Sequence, residues 1–131
     1  MRLTFDKRQH LKSQNAIDTL FAEGQKFMAF PFRVVYRTTP RQADDEWPVQ
    51  VLTVARKRLY RHAVDRNRVK RLLREAYRLH QMPLVEALNQ KNLTLHIAFV
   101  SISPAPPTFE NVEKQMIVAI EKLCSQLTID N

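Results

Sequence analysis

Hydrophobic and polar residues follow one another along the chain in two spacings, one typical of helices and one typical of strands. Within residues 14–23 the apolar side chains Ile17, Leu20 and Phe21 recur at helical spacing. Ser13 precedes them as an N-cap residue. Gly24 follows them at the position where a left-handed glycine commonly ends a helix. We therefore expect a first helix over 14–23.

Three later stretches are rich in β-branched and aromatic residues, as strands are. Residues 27–39 alternate, so that Phe32, Val34 and Tyr36 face one way and Arg33, Val35 and Arg37 the other. Pro31 lacks an amide donor and fits a strand start, a bulge or an edge. Residues 49–57 form the second clear strand. Residues 93–103 form the third, and their nearly continuous apolar character predicts burial on both faces.

Two longer stretches have the pattern of helices. Residues 61–80 are helical in pattern and are followed by Pro83, with a weaker helical stretch over 84–88. Thr108 begins a last helix whose apolar residues repeat at helical spacing. Residues 1–131 are therefore expected to form one α+β domain, a single sheet with helices packed on it.

The positive charge of the chain is concentrated in one segment. The chain has 21 Lys and Arg against 13 Asp and Glu, a net charge of +8. Ten of the basic residues and only two of the acidic ones lie between Arg56 and Arg78, which leaves eleven of each elsewhere. This segment thus carries the whole excess, and charge of such density predicts a polyanionic partner.

A helical wheel of this segment separates an apolar stripe from a basic strip. The stripe consists of Val69, Leu72, Leu73 and Ala76, with Tyr77 at its edge. The strip consists of Asn67, Lys70, Arg71, Arg74 and Arg78, with Arg66 and Arg68 flanking the stripe near the helix start. Like charges four residues apart repel, so this pattern favours nucleic-acid binding over a solvated surface helix. A strand precedes this helix where a helix-turn-helix needs another helix, so RNA is expected and DNA is not.

The sequence lacks the residues that several other classes of function require. One cysteine and four scattered histidines offer no metal-ligand spacing. Asp44, Asp45 and Glu46 lie in a polar loop where solvation is expected, and no catalytic residue or bound cofactor is predicted for the protein itself. No apolar run is long enough to cross a membrane, and the N-terminus has no secretory apolar region, so a cytoplasmic location is expected.

The segment RHAVDRNRVKRLLREAYR resembles the signature of the protein subunit of bacterial ribonuclease P. The Arg-Asn-Arg core of that signature corresponds to residues 66–68, and the positions after it correspond to Lys70, Arg71, Arg74, Glu75 and Ala76. Phe5, Lys7 and Leu11 resemble the family's N-terminal motif. The chain departs from the family at His10, where an arginine is usual, and at Ile17, where an aromatic is usual. Its turn over 58–62 is also longer, basic and without glycine.

The resemblance implies a fold, a partner and a set of contacts. The fold is one mixed, about four-stranded sheet with three helices in the order α-β-β-β-α-β-α, with a left-handed β-α-β crossover around the Arg-Asn-Arg helix. The partners are the catalytic RNA and precursor tRNA, whose 5′ leader is removed by Mg²⁺ held through the RNA. RNA-binding residues are expected at Arg56, Lys57, Arg58, Arg66, Asn67, Arg68, Lys70, Arg71 and Arg74. Leader-binding residues are expected at Ile17, Phe21 and Tyr36.

Two other functions remain open from the sequence. A structural RNA-binding protein of ribosomal type would bind RNA without supporting cleavage. A protein-only nuclease would need clustered acids or a histidine pair, which we do not find in the sequence.

Overall fold

The computed structural model describes residues 7–45 and 47–129. A short 3-10 turn, Lys7–Gln9, precedes four helices and four strands within these ranges. In chain order they are α1 (Gln14–Glu23), β1 (Gln25–Ala29), β2 (Phe32–Pro40), β3 (Val49–Ala55), α2 (Ala63–His80), α3 (Met82–Lys91), β4 (Leu93–Ser101) and α4 (Phe109–Ile129).

The four strands form one mixed sheet in the order β1-β2-β4-β3. β2 pairs antiparallel with both β1 and β4, and β3 pairs parallel with β4. The chain passes from β3 to β4 through α2 and α3. The predicted α+β class with a mixed four-stranded sheet is confirmed.

The count of helices differs from the prediction, because the weak stretch after Pro83 is a full helix. Pro83 lies in the first turn of α3, where its missing amide proton costs no helical hydrogen bond. Leu84, Val85 and Leu88 are buried. Pro83, expected only to follow one helix, therefore also lies in the first turn of the next.

The predicted strand over 27–39 is two strands. Phe30 and Pro31 form the turn between β1 and β2, and Ala29 pairs with Phe32 across it. Pro31 thus stands in the turn directly before β2, since a residue without an amide proton cannot donate to the ladder.

The predicted left-handed conformation of Gly24 is wrong. Gly24 is extended (φ −69°, ψ 155°), and its N–H donates to the Leu20 carbonyl at 2.8 Å. A Cβ atom here would collide with that carbonyl oxygen and lie 3.0 Å from the Tyr36 carbonyl oxygen. Close approach of the backbones of α1 and β2, and not a positive φ, therefore requires glycine.

The two faces of the sheet are covered unequally. α2, α3 and α4 pack on one face, around a large core that includes Phe32, Phe99 and Met116. α1 packs on the other face over a small cluster of buried residues: Leu11, Leu20, Val35, Ala98 and Val100. β4 is buried from Thr94 to Ser101 except at His96, as its apolar sequence predicted.

Candidate nucleic-acid interface

Helix α2 is held on the sheet by its apolar stripe. Val69, Leu73, Ala76 and Tyr77 are at most 1% exposed, and Leu72 packs beside them. Tyr77 lies deeper than the wheel indicated, with its ring centroid 5.7 Å from that of Phe99. Burial raises the pKa of the Tyr77 phenol. The orientation of the helix is thereby fixed, and its basic strip faces away from the core.

The basic strip and the flanking Arg68 carry side chains that solvent reaches. Asn67, Arg68 and Arg71 are exposed, while Lys70 and Arg74 are half-buried. The turn before the helix adds three more exposed cations, Arg56, Lys57 and Arg58. The structure therefore brings most of the predicted RNA-binding residues to α2 and the turn that leads into it.

Arg66 has contacts of a different kind. Its Nη1 donates to the carbonyl oxygens of Tyr60 and Arg61, at 2.9 and 3.1 Å. Tyr60 itself is buried, and its hydroxyl lies 2.7 Å from Ser101 Oγ. Arg66 thus ties the turn to the helix. Sequence reasoning missed this structural role because the sequence does not show which backbone carbonyls a side chain will contact.

Two other arginines of α2 have partners on the protein. Arg74 Nη1 donates to Thr53 Oγ1 of β3 at 3.3 Å. Arg78 forms a two-point ion pair with Glu75, with Nη2–Oε1 at 2.5 Å and Nε–Oε2 at 3.0 Å. The hydrogen bond from Arg78 lowers the pKa of the Glu75 carboxyl, so Glu75 is charged at neutral pH.

An open groove of about 480 Å³ lies between α2 and the segment before α1. Its lining residues are His10, Arg71, Arg74, Glu75 and Arg78, and we call it the basic groove. His10 reaches it because residues 10 and 51 form a parallel β-bridge, reinforced by a 2.9 Å bond from Leu11 N–H to Val51 O. The sequence placed Arg78 on the basic strip, but it gave no sign that His10 would lie beside it.

The predicted leader-binding residues lie on both faces of the sheet. Ile17 and Phe21 are half-buried and pack against the small cluster between α1 and the sheet, on the face of the sheet that carries Val35. Tyr36 belongs to the opposite face, with its ring centroid 5.9 Å from that of Phe27 and its hydroxyl donating to Gln25 Oε1 at 2.7 Å. The structure therefore brings Ile17 and Phe21 together and separates Tyr36 from them, because α1 packs on the side of β2 that Val35 faces.

The face of the sheet on which α1 packs also carries polar residues that the sequence analysis did not assign to a site. Arg37 follows Val35 on the same side of β2, and it is opposite His96 of β4, which in turn is opposite Gln50 of β3. Burial lowers the pKa of His96, and nearby Arg37 lowers it further, while Asp45 acts in the other direction. The alternation of β2 was the signal that could have placed Arg37 on this face.

The acidic loop has structural contacts at Asp45. Its Oδ2 accepts from Gln42 N–H at 2.9 Å and from Thr94 Oγ1 at 2.8 Å, while Asp44 is exposed and Glu46 lies outside the described residues. Across 7–45 and 47–129, no group of histidine, cysteine and acidic side chains is placed to hold a metal ion. None of the helices in these ranges is both long and apolar enough to cross a membrane.

The fold and this surface define a small α+β protein built to present one strongly basic helix. The family model described as Ribonuclease P matches residues 5–124. The chain therefore belongs to the ribonuclease P protein family. Of the residues that resemble the family's N-terminal motif, Leu11 is buried, and Phe5 lies outside the described residues.

Individual relatives agree with the family match. The "Ribonuclease P protein component" of Porphyromonas gingivalis is 41% identical over 110 residues, which cover 84% of this chain and 79% of the relative. That of Chlorobaculum tepidum is 38% identical over 78 residues, 59% of this chain and 51% of the relative. The solved structure of the Staphylococcus aureus RNase P protein has a TM-score of 0.65 at 18% identity, covering 88% of this chain and 96% of that one. This last likeness supports the fold.

Proposed function

We propose that this chain is the protein subunit of a ribonuclease P that removes the 5′ leader of precursor tRNA. In this proposal it binds the catalytic RNA and the leader, and the RNA carries the chemistry. The observation that carries the proposal is the basic side of α2, whose apolar side is fixed on the sheet while Arg68 and Arg71 remain exposed. Processing of precursor tRNA would place the protein in the bacterial cytoplasm.

Contact with the catalytic RNA is assigned to α2 and the turn before it. Exposed guanidinium groups suit phosphate oxygens, since each presents several donors in a planar fork. Arg68, Lys70, Arg71 and Arg74 supply the contacts on the helix, with Asn67 beside them and residues 56–58 extending the surface. Arg66 contributes mainly by holding the turn in place, because its Nη1 already donates to two carbonyls.

Contact with the leader is assigned to the α1 face of the sheet. Ile17 and Phe21 offer apolar surface for an unpaired base, where stacking on an aromatic ring contributes about 1 to 3 kcal/mol. Arg37 adds a positive charge farther along the same face. Tyr36 lies on the opposite face and is not included in this leader surface.

The protein's contribution to cleavage is electrostatic in this proposal. Mg²⁺ bound by the RNA would supply the activated water, and the described residues of the protein provide no cluster of ligands for it. The cations of α2 offset phosphate repulsion as the RNAs approach each other. With about five phosphates contacted, the logarithm of affinity should fall against the logarithm of salt concentration with a slope of about −3.5 to −4.5.

Reconstitution tests this function. The full chain is mixed with a bacterial ribonuclease P RNA at low Mg²⁺, and cleavage of precursor tRNA is measured for each component and for the mixture. Stimulation of cleavage in the mixture alone supports the proposal. RNA binding without stimulation supports the ribosomal-type alternative, and cleavage by the protein alone overturns the assignment of chemistry to the RNA.

A further inference from the structure

We propose that the basic groove binds a backbone phosphate of RNA and that protonation of His10 controls its affinity. The inference rests on the proposed function, since it takes α2 as an RNA-binding helix. It adds a residue from outside α2 and a dependence on pH. The ligand is a phosphodiester, whose negative charge stays the same between about pH 5 and 8, the range in which histidine changes its charge.

The position of His10 is fixed by backbone contacts. Its bridge to Val51 and the 2.9 Å bond from Leu11 N–H to Val51 O attach residues 10 and 11 to β3, an edge strand of the sheet. α2 is tied to the same strand through Arg74 and Thr53. The backbone of His10 and the helix that carries the arginines of the groove are therefore both attached to β3.

The charged groups around His10 leave the groove only moderately positive. α2 contributes Arg71, Arg74, Arg78 and the carboxylate of Glu75. β3 contributes uncharged Thr53. The segment of His10 itself carries the cations Lys7, Arg8 and Lys12 and one acid, Asp6, which lies outside the described residues. Since Glu75 accepts two bonds from Arg78, it offsets that arginine, and Arg71 and Arg74 supply the surplus charge.

Protonation of His10 raises the net positive charge of the groove substantially. It raises the surplus within the groove from two charges to three, and histidine is the side chain whose charge ordinarily changes between about pH 5 and 8. A phosphate placed between these cations favours the charged imidazole. RNA-bound protein therefore holds more protons than free protein, and by linkage the affinity for RNA rises as the pH falls.

The test measures how the affinity of the full chain for a bacterial ribonuclease P RNA depends on pH, at fixed salt and Mg²⁺. The wild-type chain should bind roughly two- to fivefold more tightly at about pH 5.5 than at about pH 8. Its salt slope should also be steeper at the lower pH by about 0.7 to 0.9. His10→Gln should match the wild type at the higher pH and bind more weakly than it at the lower pH, whereas His10→Arg should match the wild type at the lower pH and bind more tightly than it at the higher pH.

A histidine outside the groove provides the control. His80 lies on α2 with its Nε2 2.9 Å from Glu113 Oε2, and His80→Gln keeps a hydrogen-bonding group there. His80→Gln should retain the pH dependence of the wild type. Circular dichroism establishes that each variant is folded, and tighter binding of His10→Arg than of the wild type at the higher pH tests the proposal even if His10→Gln fails to fold.

The outcomes separate this inference from the proposed function. A pH dependence in His10→Gln or His10→Arg as large as that of the wild type overturns the role of His10 and leaves α2 as an RNA-binding helix. Absence of binding to the RNA at every pH overturns the proposed function, and this site with it.

Discussion

Helices α2 and α4 pack on the same face of the sheet but differ in the charge of their outer sides. Each buries leucine and alanine in the same core, and His80 of α2 is paired with Glu113 of α4. α2 has six Lys and Arg against two acidic residues, whereas α4 has two lysines against three glutamates. Because α4 packs on this face without an excess of cations, packing does not require the charge of α2. The excess is best explained by a partner outside the chain.

The inner sides of the two helices should be equally important for stability. Leu73 and Leu123 are each 1% exposed in the same core. Leu73→Ala and Leu123→Ala should each lower the free energy of unfolding by about 2 to 5 kcal/mol, through lost burial and the cavity left behind. Urea unfolding measures both. A cost below about 1 kcal/mol for either leucine would show that its helix is not anchored as described.

The basic residues of α2 should divide into structural and exposed ones. Arg66→Ala removes two hydrogen bonds to backbone carbonyls and should lower the free energy of unfolding by about 1 to 2 kcal/mol. Arg68→Ala, at an exposed position, should change it by less than about 0.5 kcal/mol. Urea unfolding of the two variants makes the comparison, and equal values for them would contradict this division.

The two helices should respond differently when the side chain at the N-terminal cap is removed. Thr108 Oγ1 accepts from Asn111 N–H at 3.3 Å at the start of α4, whereas His62 makes no side-chain capping bond at the start of α2. Thr108→Ala should cost about 1 kcal/mol in thermal or urea unfolding. His62→Ala should cost less than about 0.5 kcal/mol. A larger loss at His62 than at Thr108 would reverse this part of the comparison.

Lowering the pH should reduce the stability of the protein slightly through His96, which lies on β4 and not on either helix. The pKa of His96, on the α1 face, is lowered by burial, so the unfolded chain takes up a proton there more readily than the folded one. His96 should therefore make the protein less stable as the pH falls through the ordinary histidine range. His96→Gln should remove that part of the loss in urea unfolding at several pH values. An unchanged pH profile in this variant would show that other groups cause it.

Periodicity predicted the sides of the helices correctly. The apolar stripe of α2 is buried as its spacing indicated, because a helix that packs one face on a sheet buries residues at the regular helical spacing. The division of 27–39 at Phe30 and Pro31 was missed, since the residues on both sides of this turn have strand composition. Gly24 was assigned to the left-handed region because sequence cannot distinguish a need for positive φ from a need for space.

The candidate sites depended on tertiary contacts to differing degrees. The basic strip follows from one helix, so its residues could be predicted together. Tyr36 was grouped with Phe21 although the alternation of β2 placed it opposite Val35, because only the packed structure shows which side α1 covers. His10 enters the basic groove through pairing with a strand 41 positions away in the sequence, which no local pattern predicts.

Removing equal charge from the two helices tests the central claim most directly. Arg68→Ala with Arg71→Ala takes two exposed cations from α2, and Lys114→Ala with Lys122→Ala takes two from α4. The α2 pair should weaken binding to a bacterial ribonuclease P RNA by about tenfold or more and reduce the steepness of the salt dependence by about 1.4 to 1.8. The α4 pair should weaken it by less than about twofold, because these two lysines lie outside the proposed RNA surface and salt screens their charge. Equal losses from the two helices, or no loss from α2, would contradict the account.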